Sequence, residues 1–229
     1  MAIYRKLRHS LIKDRNKVRN WKNKLNGVPC FILGNAPHLD DYPVYKLKDC
    51  FTIGINRAFF RLDPTILLWQ DIELYYDCRK RLSKLESILF SRDVSDPRKM
   101  AYHYKLLYGD YKLTNNPSVL AGRGSSGPLA YQLAHVLGCD PIILMGCTCS
   151  YREGKTDFYG VNKDHKTHTL KACEKGLRWM KKADKSRILV SCSQSDVFRN
   201  TITLDEAFEM FDIEKFSKGR EYFVKKLFQ

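Results

Sequence analysis

The stretch Pro29–Pro43, PCFILGNAPHLDDYP, decides how the chain is read. Phe31, Ile32 and Leu33 form a short apolar run that predicts a buried strand. Gly34 and Asn35 break it, and Pro37 keeps the chain from winding directly into a helix. A core strand that ends in a glycine and an asparagine offers bare backbone and an amide side chain at one turn.

Working outward, the same kind of apolar run recurs as FTIGI, TILLW, ESILF, PIILMG and RILVSC. These runs are rich in β-branched residues and predict strands. Helical patterns lie between them at 72–85, 128–137 and 166–182. A last helical pattern covers 204–227 and breaks near Phe216–Gly219. The alternation predicts an α/β fold: a Rossmann-like three-layer sandwich with a mostly parallel sheet covered on both faces. Residues 28–229 are read as a single nucleotide-binding domain. The polar, turn-rich stretch 91–120 is read as an insertion or lid.

Residues 1–27 differ from the rest. Arg5, Lys6, Arg8, Lys13 and Arg15 belong to a run of cations opposed by one acid, Asp14. Val18, Trp21 and Leu25 continue an apolar stripe begun by Ile3, Leu7 and Leu11. This predicts a basic amphipathic helix, either docked through its stripe or bound to an anionic surface. Across the chain, 40 Lys and Arg face 25 Asp and Glu, a net charge of +15 that predicts an anionic partner. DNA is favoured over a membrane-associated glycan as that polyanion, and the N-terminal cations are its predicted contacts.

Hydrophobic residues make up 44% of the 229, which supplies a core and excludes global disorder. The eight cysteines sit mostly in apolar runs, and Cys147-Thr148-Cys149 lacks the spacing of a zinc site. They are read as reduced thiols. With no apolar run of about 18 residues and no signal-peptide core, the expected location is the cytoplasm.

In a parallel sheet, ligands gather at the carboxyl ends of the strands. There the sequence places Gly34 and Asn35, then Asn56 and Arg57, then Gln70 and Asp71. Arg57 suits a phosphate. Asp71 suits Mg²⁺ or a ribose, or else caps the helix that follows it, which is the better reading. Gly122, Gly124 and Gly127 spell a dinucleotide-type motif, but no acidic residue follows at the required distance. Ser125, Ser126 and Gly127 ahead of Pro128 are instead a helix start suited to an anion, with Pro128 read as its first residue. Beyond PIILMG come Tyr151, Tyr159, His165 and His168. Either histidine is a candidate general base.

GNAP, INRAFF and SSGPLAYQLAHVLGCDPIILMG, in this order over residues 29–198, resemble glycosyltransferase family 42, the bacterial sialyltransferases. They also resemble the motility-accessory-factor and archaeal pterin pyrophosphokinase group, with its small phage-encoded members. The resemblance implies that Asn35 and Asn56 hold the nucleotide of a sugar donor and that Ser125-Ser126-Gly127 line it. It implies that Tyr151 and Tyr159 (or Phe158) stabilise the departing phosphate and that His165 is the base. No cofactor is then required beyond the nucleotide-sugar co-substrate. Ala36 and His38 stand where that pattern has a glycine and a serine, and Cys147-Thr148 follow Gly146 where it has an acid. The expected activity is glycosyl transfer to a hydroxyl, with a modified base in DNA as the preferred acceptor. The alternatives are a Mg²⁺-dependent pyrophosphokinase, in which Asp71 would be essential, and a non-catalytic binding module. A homo-oligomer is compatible with each.

Overall fold

Each predicted strand is short and apolar on both sides, as a strand buried on two faces must be. In the computed structural model these runs become β1 (Cys30–Leu33), β2 (Phe51–Ile55), β3 (Ile66–Trp69), β4 (Ile88–Arg92), β7 (Ile142–Met145) and β8 (Leu189–Ser191). The structure describes residues 15–107, 113–122, 125–150, 152–161, 167–183 and 185–229, with the side chains of 15–17 and 167–169 excepted. The helices are α1 (Ile72–Leu82), α2 (Ser126–Leu137), α3 (Thr167–Ala183), α4 (Leu204–Met210), α5 (Ile213–Phe216) and α6 (Arg220–Phe228). No helix among the described residues is long and apolar enough to cross a membrane.

With β5 (Tyr102–Leu107) and β6 (Val119–Ala121), eight strands among the described residues pair in parallel in the order β6-β5-β4-β3-β2-β1-β7-β8. The chain runs outward from β1 to β6, then returns to place β7 on the other side of β1. That reversal between β1 and β7 is a topological switch point, where the loops leaving two neighbouring strands diverge and open a crevice.

Side-chain alternation along the strands builds the layers. Cys30 and Ile32 of β1 enter one core with α2, α3 and α6, while Phe31 and Leu33 enter a second core with α4 and α5. A third cluster sets Leu67 and Trp69 of β3 against Leu74, Cys78 and Leu82 of α1. The result is the expected Rossmann-like three-layer sandwich.

Four sequence expectations change. The stretch 91–120 contains two strands of the sheet, the penultimate β5 and the edge strand β6, rather than a lid alone. Tyr102 and Tyr104 turn inward, whereas His103 and Lys105 alternate outward and give the segment its polar look. In the N-terminal stretch, residues 15–21 form a 3-10 helix followed by turns, with Asn23 and Gly27 at positive φ. The described part of its stripe is core: Val18, Trp21 and Leu25 are buried, and Trp21 packs on Phe90, Tyr102 and Phe228. Arg5, Lys6, Arg8 and Lys13 lie outside the described residues, as does the Arg15 side chain. Third, Cys149 is disulfide-bonded to Cys173, across 24 positions that no local spacing rule reveals. The remaining six cysteines are free and buried. Fourth, α2 begins at Ser126, two residues ahead of Pro128.

Candidate functional site

At the carboxyl ends of the strands lies a cleft of about 460 Å³. Gly34 and Asn35 line it from the end of β1, and Asn56 and Arg57 from the end of β2. Gln70 and Asp71 line it from the end of β3, and Ser125, Ser126 and Gly127 from the start of α2. Gly146 to Ser150 after β7, with Tyr159, form the facing wall. All nine residues that the sequence singled out for a nucleotide therefore share one crevice, and Tyr159 joins them. Tyr151 and His165 lie outside the described residues, as does the His168 side chain.

The glycine of the opening motif has a reason other than the expected ligand approach. A Cβ on Gly34 would sit 2.1 Å from the Gly146 carbonyl oxygen. Backbone bonds from Gly34 to Met145 (2.8 Å) and from Ala36 to the Gly146 carbonyl (2.9 Å) carry β1 past the sheet edge beside β7. Gly34 is thus a crossing point of two backbones. This crossing aims Asn35 into the cleft. Asn35 is 7% exposed, and its Oδ1 is buried without a hydrogen-bond partner. A buried amide oxygen without a partner costs about 1–3 kcal/mol, so the site gains if a ligand donor meets it.

At the foot of α2, the Ser126 hydroxyl donates to Asn56 Oδ1 at 3.5 Å and accepts from Gln70 Nε2 at 3.3 Å. Asn56 has φ of +49°, a left-handed conformation that asparagine tolerates better than most residues. Its amide is thereby held over the cleft. Ser125 occupies the N-cap position but its side chain makes no capping bond. The first-turn amides of α2 have no intrahelical acceptors, and a helix N-terminus carries partial positive charge. A Cβ on Gly127 would meet nothing within 4 Å, so the chain's own packing does not demand this glycine.

The tyrosine loop is fastened by two arginines. Arg57 lies 5.2 Å from the Tyr159 ring centroid and Arg61 lies 4.9 Å from that of Phe158. The Phe158 amide donates to the Asn35 carbonyl at 2.8 Å. Phe158 is buried in the core, so of this pair Tyr159 is the one that faces the cleft. Arg57 also pairs with Asp77. Burial works against its charge, but the bond to Tyr159 and the nearby acid hold its pKa above the ordinary value. Its charge is therefore partly spent within the protein.

Arg57 is the single basic side chain among the described lining residues, against Asp71, Glu73 and Asp157. The +15 excess is not concentrated in the described cleft wall. Asp71 stands at the N-cap position of α1 without a side-chain capping bond, contrary to the preferred reading, and is exposed. No three His, Cys, Asp or Glu among the described residues group so as to hold a metal ion. Cys147 lines the cleft, but burial pushes its thiol up to about 12, which leaves it un-ionised at neutral pH. His38 and Thr148, both at positions that depart from the motif pattern, meet each other at 3.4 Å. Separated by 110 positions, they give no sequence signal of that contact.

Solved structures of the sialyltransferase CstII from Campylobacter jejuni are similar to this chain. One, in complex with the substrate analogue cytidine-5'-monophosphate, is 14% identical with a TM-score of 0.44, covering 82% of this chain and 98% of that chain. Another, in complex with CMP-3FNeuAc, is 13% identical with a TM-score of 0.43, covering 81% and 99%. A variant of the enzyme in complex with CMP is 14% identical with a TM-score of 0.39, covering 81% and 98%. No protein-family model matches the chain, and no curated protein matches it.

Proposed function

We propose that the chain is a glycosyltransferase that takes a sugar from a nucleotide-sugar donor bound in the cleft at the switch point. The carrying observation is the convergence of Asn35, Asn56, Gln70 and the open first turn of α2 on one crevice. Asn35 Oδ1 supplies an acceptor for the nucleotide, and the turn Ser125-Ser126-Gly127 supplies N–H groups for its phosphate. As the glycosidic bond breaks, negative charge grows on the leaving phosphate. The helix amides, the serine hydroxyls and Tyr159 would stabilise it, with Tyr151 as the second phenol assigned from the sequence. His165 is assigned the removal of the acceptor proton as the acceptor oxygen attacks the anomeric carbon.

A polyanionic acceptor such as DNA carrying a hydroxymethylated base would be drawn in by cations outside the described cleft wall, including the N-terminal run. Such binding would weaken steeply with salt. Removal of residues 1–14 would then flatten the salt dependence without touching donor affinity.

A thermal-shift panel of CMP, UDP, GDP and ATP tests the donor site. One nucleotide is expected to raise the Tm, by about 2.7 kcal/mol of added stability at a hundredfold excess over its Kd. No shift with any of the four would remove the transferase reading. The acceptor is tested by mass change of hydroxymethylated DNA incubated with the enzyme and the matching nucleotide-sugar.

A further inference from the structure

Opposite the nucleotide residues, the wall after β7 carries two hydroxyls, Thr148 and Ser150. Ser150 Oγ donates to Thr148 Oγ1 at 3.1 Å, and Thr148 Oγ1 meets His38 Nδ1 at 3.4 Å. Thr148 is buried, while Ser150 and His38 are half-buried, so the three groups run from the cleft surface through its wall to an imidazole. Each hydroxyl has a single proton. When Ser150 spends its proton on Thr148, only lone pairs of Ser150 Oγ remain for the cleft. Thr148, having accepted, spends its own proton on His38, which requires Nδ1 to be unprotonated.

We infer that His38, as the Nε2–H tautomer, sets the direction of a Ser150–Thr148–His38 relay so that Ser150 accepts a hydrogen bond from a substrate hydroxyl, and that protonation of His38 reverses the relay. Ser150 is the contact, and Thr148 and His38 are positioning residues. The ligand half of this inference rests on the transferase reading, whereas the relay itself does not. Three influences act on the imidazole. Burial disfavours its charge most, Arg152 across the wall disfavours it further, and Asp41 on its own turn favours it. Arg152 and Asp41 are paired with each other, which mutes both. The net effect lowers the His38 pKa below the ordinary imidazole value, so the accepting direction holds at neutral pH. As pH falls, Nδ1–H donates to Thr148, Thr148 to Ser150, and Ser150 turns its proton into the cleft.

A substrate hydroxyl has two sources, the ribose of the nucleotide or the acceptor itself. If the ribose is the donor of the bond, His38→Leu and Thr148→Val each weaken CMP binding about tenfold, and the loss vanishes with 2′,3′-dideoxy-CMP. If the acceptor is, CMP affinity stays level and kcat/KM for transfer falls about tenfold instead. His38→Asn, whose amide oxygen replaces Nδ1 and does not titrate, recovers most of either loss and flattens the acidic limb of the pH profile. Equal affinity and equal kcat/KM in His38→Leu, Thr148→Val and the parent would overturn the inference.

Histidine ¹⁵N NMR on the free protein decides the relay without any ligand. The expected result is an Nε2–H tautomer at neutral pH whose titration moves in Thr148→Val. An Nδ1–H tautomer, or a titration indifferent to Thr148→Val, overturns it. Failure of every nucleotide to bind the parent protein would sink the transferase reading separately, since the tautomer is read in its absence.

Discussion

The two ends of α2 are finished in opposite ways. At its C-terminus, Gly138 takes φ of +89°, and the Gly138 and Cys139 amides fold back onto the His135 and Ala134 carbonyls. The remaining carbonyls are taken by the N-terminal segment: Asn23 donates to Val136, Leu25 to Leu137 and Gly27 to Gly138, at 2.8–2.9 Å. At its N-terminus, by contrast, Ser125 does not cap, a Cβ on Gly127 would meet nothing within 4 Å, and the first turn opens on the cleft. One end is closed by the protein's own backbone, the other is left for a ligand. A buried helix must satisfy its terminal groups somehow, so the open end is where an outside partner gains most.

Variants at the two ends should therefore separate stability from binding. Trp21→Ala removes the fully buried indole that anchors the segment closing the C-terminal end, and should cost about 3–5 kcal/mol in denaturant unfolding. An unchanged unfolding midpoint would mean that the N-terminal segment is not part of the core. At the same end, Gly138→Ala forces a side chain into the left-handed region with its Cβ 3.0 Å from Asn26 Cα. A loss of about 1–3 kcal/mol is expected, with nucleotide affinity of the folded protein unchanged.

Near the open end the signs differ. Asn35→Ala deletes a buried oxygen that has no internal partner, so the Tm should hold while nucleotide affinity drops about 10- to 100-fold by calorimetry. A collapse in Tm with unchanged affinity would assign Asn35 to the scaffold. Smallest of all, Gly127→Ala should raise stability by up to about 0.5–1 kcal/mol, since the added methyl meets no neighbour and alanine favours the helix. It should nevertheless weaken nucleotide binding by crowding the turn. Tighter binding in Gly127→Ala would erase the contrast between the two ends.

Legibility in the sequence followed the range of each interaction. Phe31, Ile32 and Leu33 announce a strand because two-sided burial leaves a run that can be read locally. Tyr102–Leu107 does not, because His103 and Lys105 alternate with its buried tyrosines and break the apolar run. The candidate donor residues were visible as polar breaks at strand ends, and a parallel sheet brings all such ends to one side. What each residue does there was less visible. Gly34 looked like room for a ligand and is a backbone crossing with Gly146, a contact made across 112 positions of sequence. Arg57 looked like a free phosphate binder and is paired with Asp77.

The sequence by itself determined the α/β alternation, the parallel sheet and the set of polar residues gathered at its carboxyl edge. These depend on the period of apolar side chains and on breaks at strand ends, which are local properties. Only the tertiary structure decided that Val18, Trp21 and Leu25 are core, that Cys149 joins Cys173, and that His38 meets Thr148. Such contacts are set by which distant segments the sheet order brings together. A chain can signal the elements it will form long before it signals their neighbours.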